Sequence, residues 1–225
     1  MKSSFNAYGS ASRSAGDFHV PVWAGFPGVV PVGGMLDPDY LIAGALYGAG
    51  TAVLLKDKKI TPFIAWEVVS MATVDTNDVI TIKPVNDAVL PKVGDFIQKV
   101  GATFAATGKA AAVTAVTALT GNDAGKYTVT VLHSATVDAL SAGDAIALSA
   151  ATAAGSGKSL AVIPNGYLYN DIFLGDIDVT RDDAFATGAV VQHLEHGAIL
   201  INRTPSAVIA KQMLAAVPGV SQDYN

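Results

Sequence analysis

Three short stretches of this chain carry residue types and spacings from which chemistry is made. The first is Gly-Ser-Gly-Lys-Ser at 155–159. A phosphate-binding loop ends in the same Gly-Lys-Ser. It must follow a buried strand and open a helix, whose free N–H groups cradle the phosphates. Here the position of the loop's first glycine holds Thr152, and Pro164 with Asn165-Gly166 leaves room for no more than one helical turn after Ser159. The stretch is expected to be a Gly/Ser hinge joining two β-modules. The second is His193-Leu194-Glu195-His196. On a strand His193 and Glu195 share a face while His196 points away, so only two potential metal ligands converge. The third is acidic: Asp171, Asp176, Asp178, Asp182 and Asp183. Paired carboxylates serve glycoside hydrolysis or calcium binding, but no D-x-D-x-D-G loop is present. Asp176 and Asp178 alternate about Ile177 as an exposed strand edge would.

Composition narrows the classes further. The 225 residues are 51% hydrophobic and 15% charged, with 22 glycines and a net charge of −5. Globular domains average about 25% charged residues, so much of this surface is expected to be hidden, part of it against other subunits. The acidic balance argues against a binder that neutralises nucleic-acid phosphates. Lys56, Lys58 and Lys59 form the tightest basic group and fit a solvated turn. With no cysteine there is no disulfide, thiolate metal site or thiol nucleophile. No G-x-S-x-G is present, and no cofactor is implied. The apolar run at 41–50 is too short and glycine-rich to span a bilayer, which takes about 20 residues. The first residues show no secretory pattern. Neither nucleic acid nor membrane is expected as a partner, and the chain does not read as an enzyme.

The elements that would position such residues are mostly strands. Residues 1–47 read as an extended arm: Ser/Gly/Ala-rich, then interrupted by Pro or Gly every few positions. It nevertheless carries Phe5, Phe18, Val20, Trp23, Phe26 and Val30, spaced as an extended segment lying on a partner would space its anchors. Residues 48–70 read as a β-hairpin turning at the Lys/Asp cluster. At an offset of 49, VITIK (79–83) lies over TVTVL (128–132), and VGDFI (93–97) over AGDAI (142–146). Residues 73–100 and 122–149 are therefore expected to be two copies of one unit, with 110–119 a strand between them. Val190, Gln192, Leu194 and His196 fall on one face of a strand, and Val191, His193 and Glu195 on the other. A short helix closes the chain, with Thr204 as cap, Pro205 in the first turn, 206–217 as body and Pro218-Gly219 as stop. Its apolar stripe is Ile209, Met213 and Val217.

Two blocks, LYNDIFLGDIDVT with FATGAVVQHLEHGAILINR, and GAGTAVLLKDKKITPF, resemble the head decoration proteins of lambda-type tailed phages. IPNGYLYND is similar to phage head fibre proteins. The matched parts are 48–70 and 160–204. The resemblance implies a capsid-surface protein of the virion, with the major capsid protein as partner and a homotrimer at three-fold positions. It also implies an N-terminal arm that pairs with the shell, the role it gives to Phe5, Phe18, Val20, Trp23, Phe26 and Val30. The fold expected is mainly β. A small barrel- or sandwich-like docking domain (48–72 and 160–225) would carry an inserted duplicated β-module (73–159), the extended arm and one short C-terminal helix. The small decoration proteins lack the insertion. It leaves open a second role, a host-surface or glycan-binding fibre module, which would need exposed aromatics; 73–150 offers Phe96, Phe104 and Tyr127.

Overall fold

The computed structural model describes residues 23–24, 32–84, 89–133, 139–175, 177–192, 198–199, 204, 206–213 and 221–222. The protein is mainly β, with closed, barrel-like sheets and one short helix near the C-terminus. In chain order the strands begin with β1 (Trp23–Ala24), β2 (Val32–Leu36), β3 (Leu46–Tyr47), β4 (Ala52–Lys56) and β5 (Lys59–Pro62). Next come β6 (Ala65–Val74), β7 (Asn77–Pro84), β8 (Phe96–Lys99), β9 (Gly108–Ala118), β10 (Tyr127–Leu132), β11 (Ala145–Leu148) and β12 (Gly155–Lys158). The chain continues through β13 (Gly166–Leu168), β14 (Ile172–Phe173), β15 (Thr187–Val191) and β16 (Ala198–Ile199), then α1 (Ala207–Met213) and β17 (Ser221–Gln222). Two compact units result: residues 1–63, 86–88 and 164–225 form the first, and 64–85 and 89–163 the second.

In the first unit β13, β15, β2, β5 and β4 close a barrel in that order, with only the β2–β5 pairing parallel. Asp57 and Lys58 both take positive φ, 52° and 62°, the two-residue turn whose twist suits a β-hairpin. Leu36, Val53, Ile60, Leu168 and Val190 fill the interior. Burying such a side chain stabilises the fold by about 1.5–3 kcal/mol. Small residues let the strands close: a Cβ on Gly34 would sit 2.7 Å from the Lys58 carbonyl oxygen, and one on Gly166 would sit 2.9 Å from that of Val191. Helix α1 buries Ile209, Ala210 and Met213.

The second unit is a ring of six antiparallel strands, β10-β7-β6-β11-β8-β9, closed by β9 on β10, with β12 added beside β9. Its two halves, β6-β7-β8 and β9-β10-β11, take equivalent places in the pairing. Strand β7 pairs with its own counterpart β10, and β8 with β11. In those pairings Ile80 faces Val129 and Gln98 faces Ala147, each pair 49 residues apart, from 80 to 129 and from 98 to 147. The turns repeat in detail. Gly94 and Gly143 take φ of 94° and 86°. Asp95 Oδ2 accepts the Lys92 N–H at 2.8 Å, and Asp144 Oδ2 accepts that of Ser141 at 2.7 Å. Gly94 donates to the Val113 carbonyl and Gly143 to that of Val68.

Several expectations change. The arm expected over 1–47 supplies β2 and β3 to the first unit, so folded structure begins well before residue 48. The insertion starts at Ile64 rather than 73 and ends at Ile163. Residues 110–119 do not separate the copies: all but Leu119 lie in β9, the first strand of the second copy and the counterpart of β6. The Gly/Ser stretch 155–159 is no hinge, because Gly155–Lys158 pairs with β9 through a register shift. Residues 177–186 form turns and irregular chain, not a strand edge, and regular pairing starts at Thr187. Ser206, not Thr204, caps α1: its Oγ accepts the Ile209 N–H at 3.3 Å, while Thr204 is buried. The expected helix body beyond Met213, with Val217, lies outside the described residues.

Candidate functional site

Within the stretch expected as an arm, Trp23 and Ala24 lie against the first unit. Strand β1 pairs with β16, Trp23 opposite Ile199. The Trp23 indole N–H donates to the Tyr169 carbonyl at 2.9 Å. Its ring meets Tyr167 edge-on, centroids 5.9 Å apart, and stacks on Tyr169 at 6.0 Å. Tyr167 and Tyr169 reach the same ring because residues two apart on an extended segment face the same way. Tyr167 is fully buried and donates its hydroxyl to the Ala210 carbonyl of α1 at 2.9 Å. Burial pushes its phenol far above the ordinary tyrosine range. Tyr47 is shifted the same way, by burial first and by Tyr40 second; its hydroxyl donates to the Tyr40 carbonyl at 2.8 Å. These phenols are structural pins.

Of the arm residues singled out from the sequence, Trp23 is therefore seated on the chain's own barrel. Phe5, Phe18, Val20, Phe26 and Val30 lie outside the described residues. The partners of Trp23 were not anticipated, although the Gly-Tyr-Leu-Tyr run at 166–169 carried the alternation that reveals them.

The three chemically suggestive stretches resolve as follows. In β12, Gly155 and Gly157 take φ of 139° and 69°, and the chain continues into β13, not into a helix. There is no helical N-terminus to hold a phosphate. Residues 193–197, with the two histidines and Glu195, lie outside the described residues; before them Val190 and Val191 are both fully buried. The aspartates do not converge, and Asp176 lies outside the described residues. Asp171 accepts the Ala49 N–H at 2.7 Å. Asp178 holds Thr180 through its hydroxyl at 2.6 Å and its N–H at 3.1 Å, bonds that pull the Asp178 carboxyl below its ordinary range. Asp183 pairs with Arg181 through two bonds of 2.8 Å. Asp178 and Asp183 shape local turns, and Asp171 ties its segment to the one at Ala49.

Among the described residues of the second unit, one acid is buried. Asp78 is fully buried; its Oδ1 accepts the Thr73 hydroxyl at 2.7 Å and lies 2.8 Å from His133 Nδ1. Its Oδ2 has no hydrogen-bond partner among the described residues. Because the His133 backbone N–H donates to the Thr76 carbonyl at 2.9 Å, this cluster fastens the β6–β7 turn to the end of β10. Of the insertion's aromatics, Phe104 is buried and Phe96 and Tyr127 are half-buried.

Among the described residues no group of three or more His, Asp or Glu is placed to hold a metal, and no helix is long and apolar enough to cross a membrane. Comparison with protein-family models, with curated proteins and with solved structures returns no match to this chain.

Proposed function

We propose that this chain is a virion structural protein, a decoration or head-fibre subunit bound to the outside of an icosahedral capsid. One observation carries the reading. The two blocks whose sequences resemble phage head proteins, 48–70 and 160–204, supply neighbouring strands of one closed barrel: Ala52 of β4 pairs with Tyr167 of β13, and Val190 of β15 follows on Leu168. The second unit, which takes in 64–70 and 160–163 at the inner ends of these blocks, is a compact insertion in sequence between β5 and β13. A resemblance split across the sequence is thus gathered into a single body, which supports a docking domain carrying a separate module.

In this reading residues 1–22 reach from that barrel to the major capsid protein, and Trp23 anchors the base of the arm. A subunit that binds the assembled lattice and not free shell chains stabilises the lattice by mass action. Repetition over a homo-oligomer, a trimer by the resemblance, turns weak contacts into avidity.

The test is quantitative mass spectrometry of particles purified from the source. Copies in a fixed, high ratio to the major shell protein are expected, and absence from intact particles overturns the reading. The arm is tested by removing residues 1–22 and no more. A longer cut would take Trp23 and then β2, whose Leu36 is in the barrel core. Attachment should be lost with both units still folded; unchanged occupancy would sink the arm's role.

A further inference from the structure

The second unit packs both faces of some strands in its ring and only one face of others. On β8 and β11 consecutive residues are buried, Ile97 with Gln98 and Ala145 through Ala147. Neighbours along a strand point to opposite faces, so these strands are covered on both sides. On β7 and β10 only alternate residues are buried: Asp78, Ile80 and Ile82 on the first, Val129 and Val131 on the second. The outer face of these two strands, and of β6 and β9 beside them, is left open.

Register sets the outward residues of this face in rows. Ser70 on β6 pairs with Thr81 on β7, Thr81 with Thr128 on β10, and Thr128 with Thr117 on β9. The same pairings align Ala72, Val79, Thr130 and Ala115 in a second row. Val74, Asn77 and Leu132 make a third, in which Val74 is 53% and Leu132 49% exposed. The three rows carry no charge. Charge returns at the margins. Beyond the first row exposed Glu67 pairs with exposed Lys83, and exposed Asp75 sits in the turn beyond the third. A neutral centre inside a charged rim is the usual anatomy of a contact surface.

The charge pattern selects the occupant. Nucleic acid would call for basic side chains on this face, and the rows hold none. A copy of the same face does fit. Around a three-fold axis each side chain meets its own counterparts from two other chains. A charge there would face its like twice over, whereas a small neutral side chain faces nothing unfavourable. Ser, Ala, Thr and Val are also short enough for sheets to approach to the roughly 10 Å of packed layers. Strands about 4.8 Å apart and rows about 6.8 Å apart make a grid of about 400 Å². That is half of the about 800 Å² that each partner of a stable pair buries. A closed ring of three offsets the small area, because every chain is then held by two neighbours. We infer that this face of the second unit packs against the same face of two further copies and forms the core of a homotrimer. The inference rests on the capsid reading for the number of copies and on the rows for the face.

The experiment measures the mass of the full chain in solution by analytical ultracentrifugation. Wild type should sediment as a three-chain species. Thr81→Lys with Thr130→Lys should weaken association about a hundredfold by gathering like charges at the axis. Thr81→Asp with Thr130→Asp should do the same. Mixed together, the two double variants should form three-chain species containing both, which happens only where a residue meets its own counterpart. Val93→Lys, at a position of the same unit that is 67% exposed and outside the rows, should keep the wild-type mass. All these side chains lie on the surface, so unchanged circular dichroism separates lost contact from lost fold. A single-chain or two-chain wild type overturns the inference. So do row variants that keep the three-chain mass, or that fail to assemble with each other. Row variants that stay three-chain but no longer bind particles would give this face to the shell and overturn it too. Absence of the chain from particles, with every mass as expected, would sink the capsid reading and leave this contact standing.

Discussion

The two barrels reach closure by different means. In the second unit, one three-strand pattern is used twice, and each copy gives its third strand to the other: β8 pairs with β9 and β11, and β11 with β6 and β8. Neither half can bury its apolar face alone. In the first unit the strands come from both sides of the insertion, as when the Leu55 N–H donates to Asn165 Oδ1 across 110 residues of sequence. No repeat supplies its pattern; glycine at tight approaches and single side-chain bonds do. The duplicated barrel is stabilised by equivalent contacts made twice, the other by particular contacts made once.

The chain contains two tryptophans, and each unit holds one. That allows the two bodies to be followed separately, with Trp66→Phe leaving Trp23 as reporter of the first and Trp23→Phe leaving Trp66 for the second. The largest expected effect is Trp66→Ala. Trp66 is buried to 1% and its indole N–H donates to the Val89 carbonyl at 2.9 Å. Removing such a side chain costs about 3–5 kcal/mol. Urea unfolding followed by Trp23 fluorescence should show the first unit's transition in place, while circular dichroism shows the second unit's strands lost earlier. A single shifted transition in both signals would mean that the bodies unfold as one.

Glycine substitutions set the two barrels directly against each other. Gly166→Ala in the first unit drives a methyl to 2.7 Å from Val190 Cγ1 and 2.9 Å from the Val191 carbonyl oxygen. The backbone cannot yield cheaply, and overpacking costs about 1–3 kcal/mol. In the second unit, Gly94→Ala and Gly143→Ala meet nothing within 4 Å, and only their positive φ is strained, at about 1 kcal/mol. Because the two turns are equivalent, these variants should lower the midpoint of the second unit equally. Unequal shifts would show that the symmetry is of shape and not of energy.

The sequence revealed the part of this architecture that repeats. The offset of 49 was legible in two strand pairs and in the Gly-Asp turns, where one φ requirement selects the same residue twice. The counterparts β6 and β9 were not legible, because Val68 and Val113 are 45 residues apart. From Val68 to Ile80 the chain runs 12 positions and from Val113 to Val129 it runs 16, the longer path passing through the 3-10 turn at Gly121–Asp123 between β9 and β10. Strand β2 was hidden by Gly33-Gly34, which reads as a strand breaker; the Lys58 carbonyl oxygen beside Gly34 is what excludes a side chain there. That no helix follows Gly-Ser-Gly-Lys-Ser was legible from Pro164 and Asn165-Gly166, but its pairing with β9 had no local signal. The β2–β15 pairing could not be seen either, since Met35 and Thr187 lie 152 positions apart in sequence.

The smallest effect tests where the two copies part. Asp95 and Asp144 make the same turn, but among the described residues only Asp144 has a lysine: Lys99 Nζ lies 2.7 Å from its Oδ2 and donates to the Ala139 carbonyl at 3.0 Å. The position equivalent to Lys99 in the second copy is Leu148. Partial burial alone would raise the Asp144 carboxyl, but the Lys99 hydrogen bond, the Ser141 N–H and the Lys99 charge together outweigh it, and the net is a lowered pKa. A carboxyl depressed in the folded state adds stability above its unfolded pKa, and that stability is lost as pH falls through the folded value. Asp144→Asn should therefore make the second unit less stable than wild type at neutral pH, by up to about 1 kcal/mol for a pair this near the surface. The two should converge on acidification below the ordinary aspartate range. Lys99→Met keeps the turn but removes the ion pair that distinguishes the copies, so its urea midpoint, read through Trp66, should fall less steeply with acid than wild type's. Parallel pH profiles for wild type and Lys99→Met would mean that Asp144 draws its stabilisation from the turn it shares with Asp95 and not from the lysine.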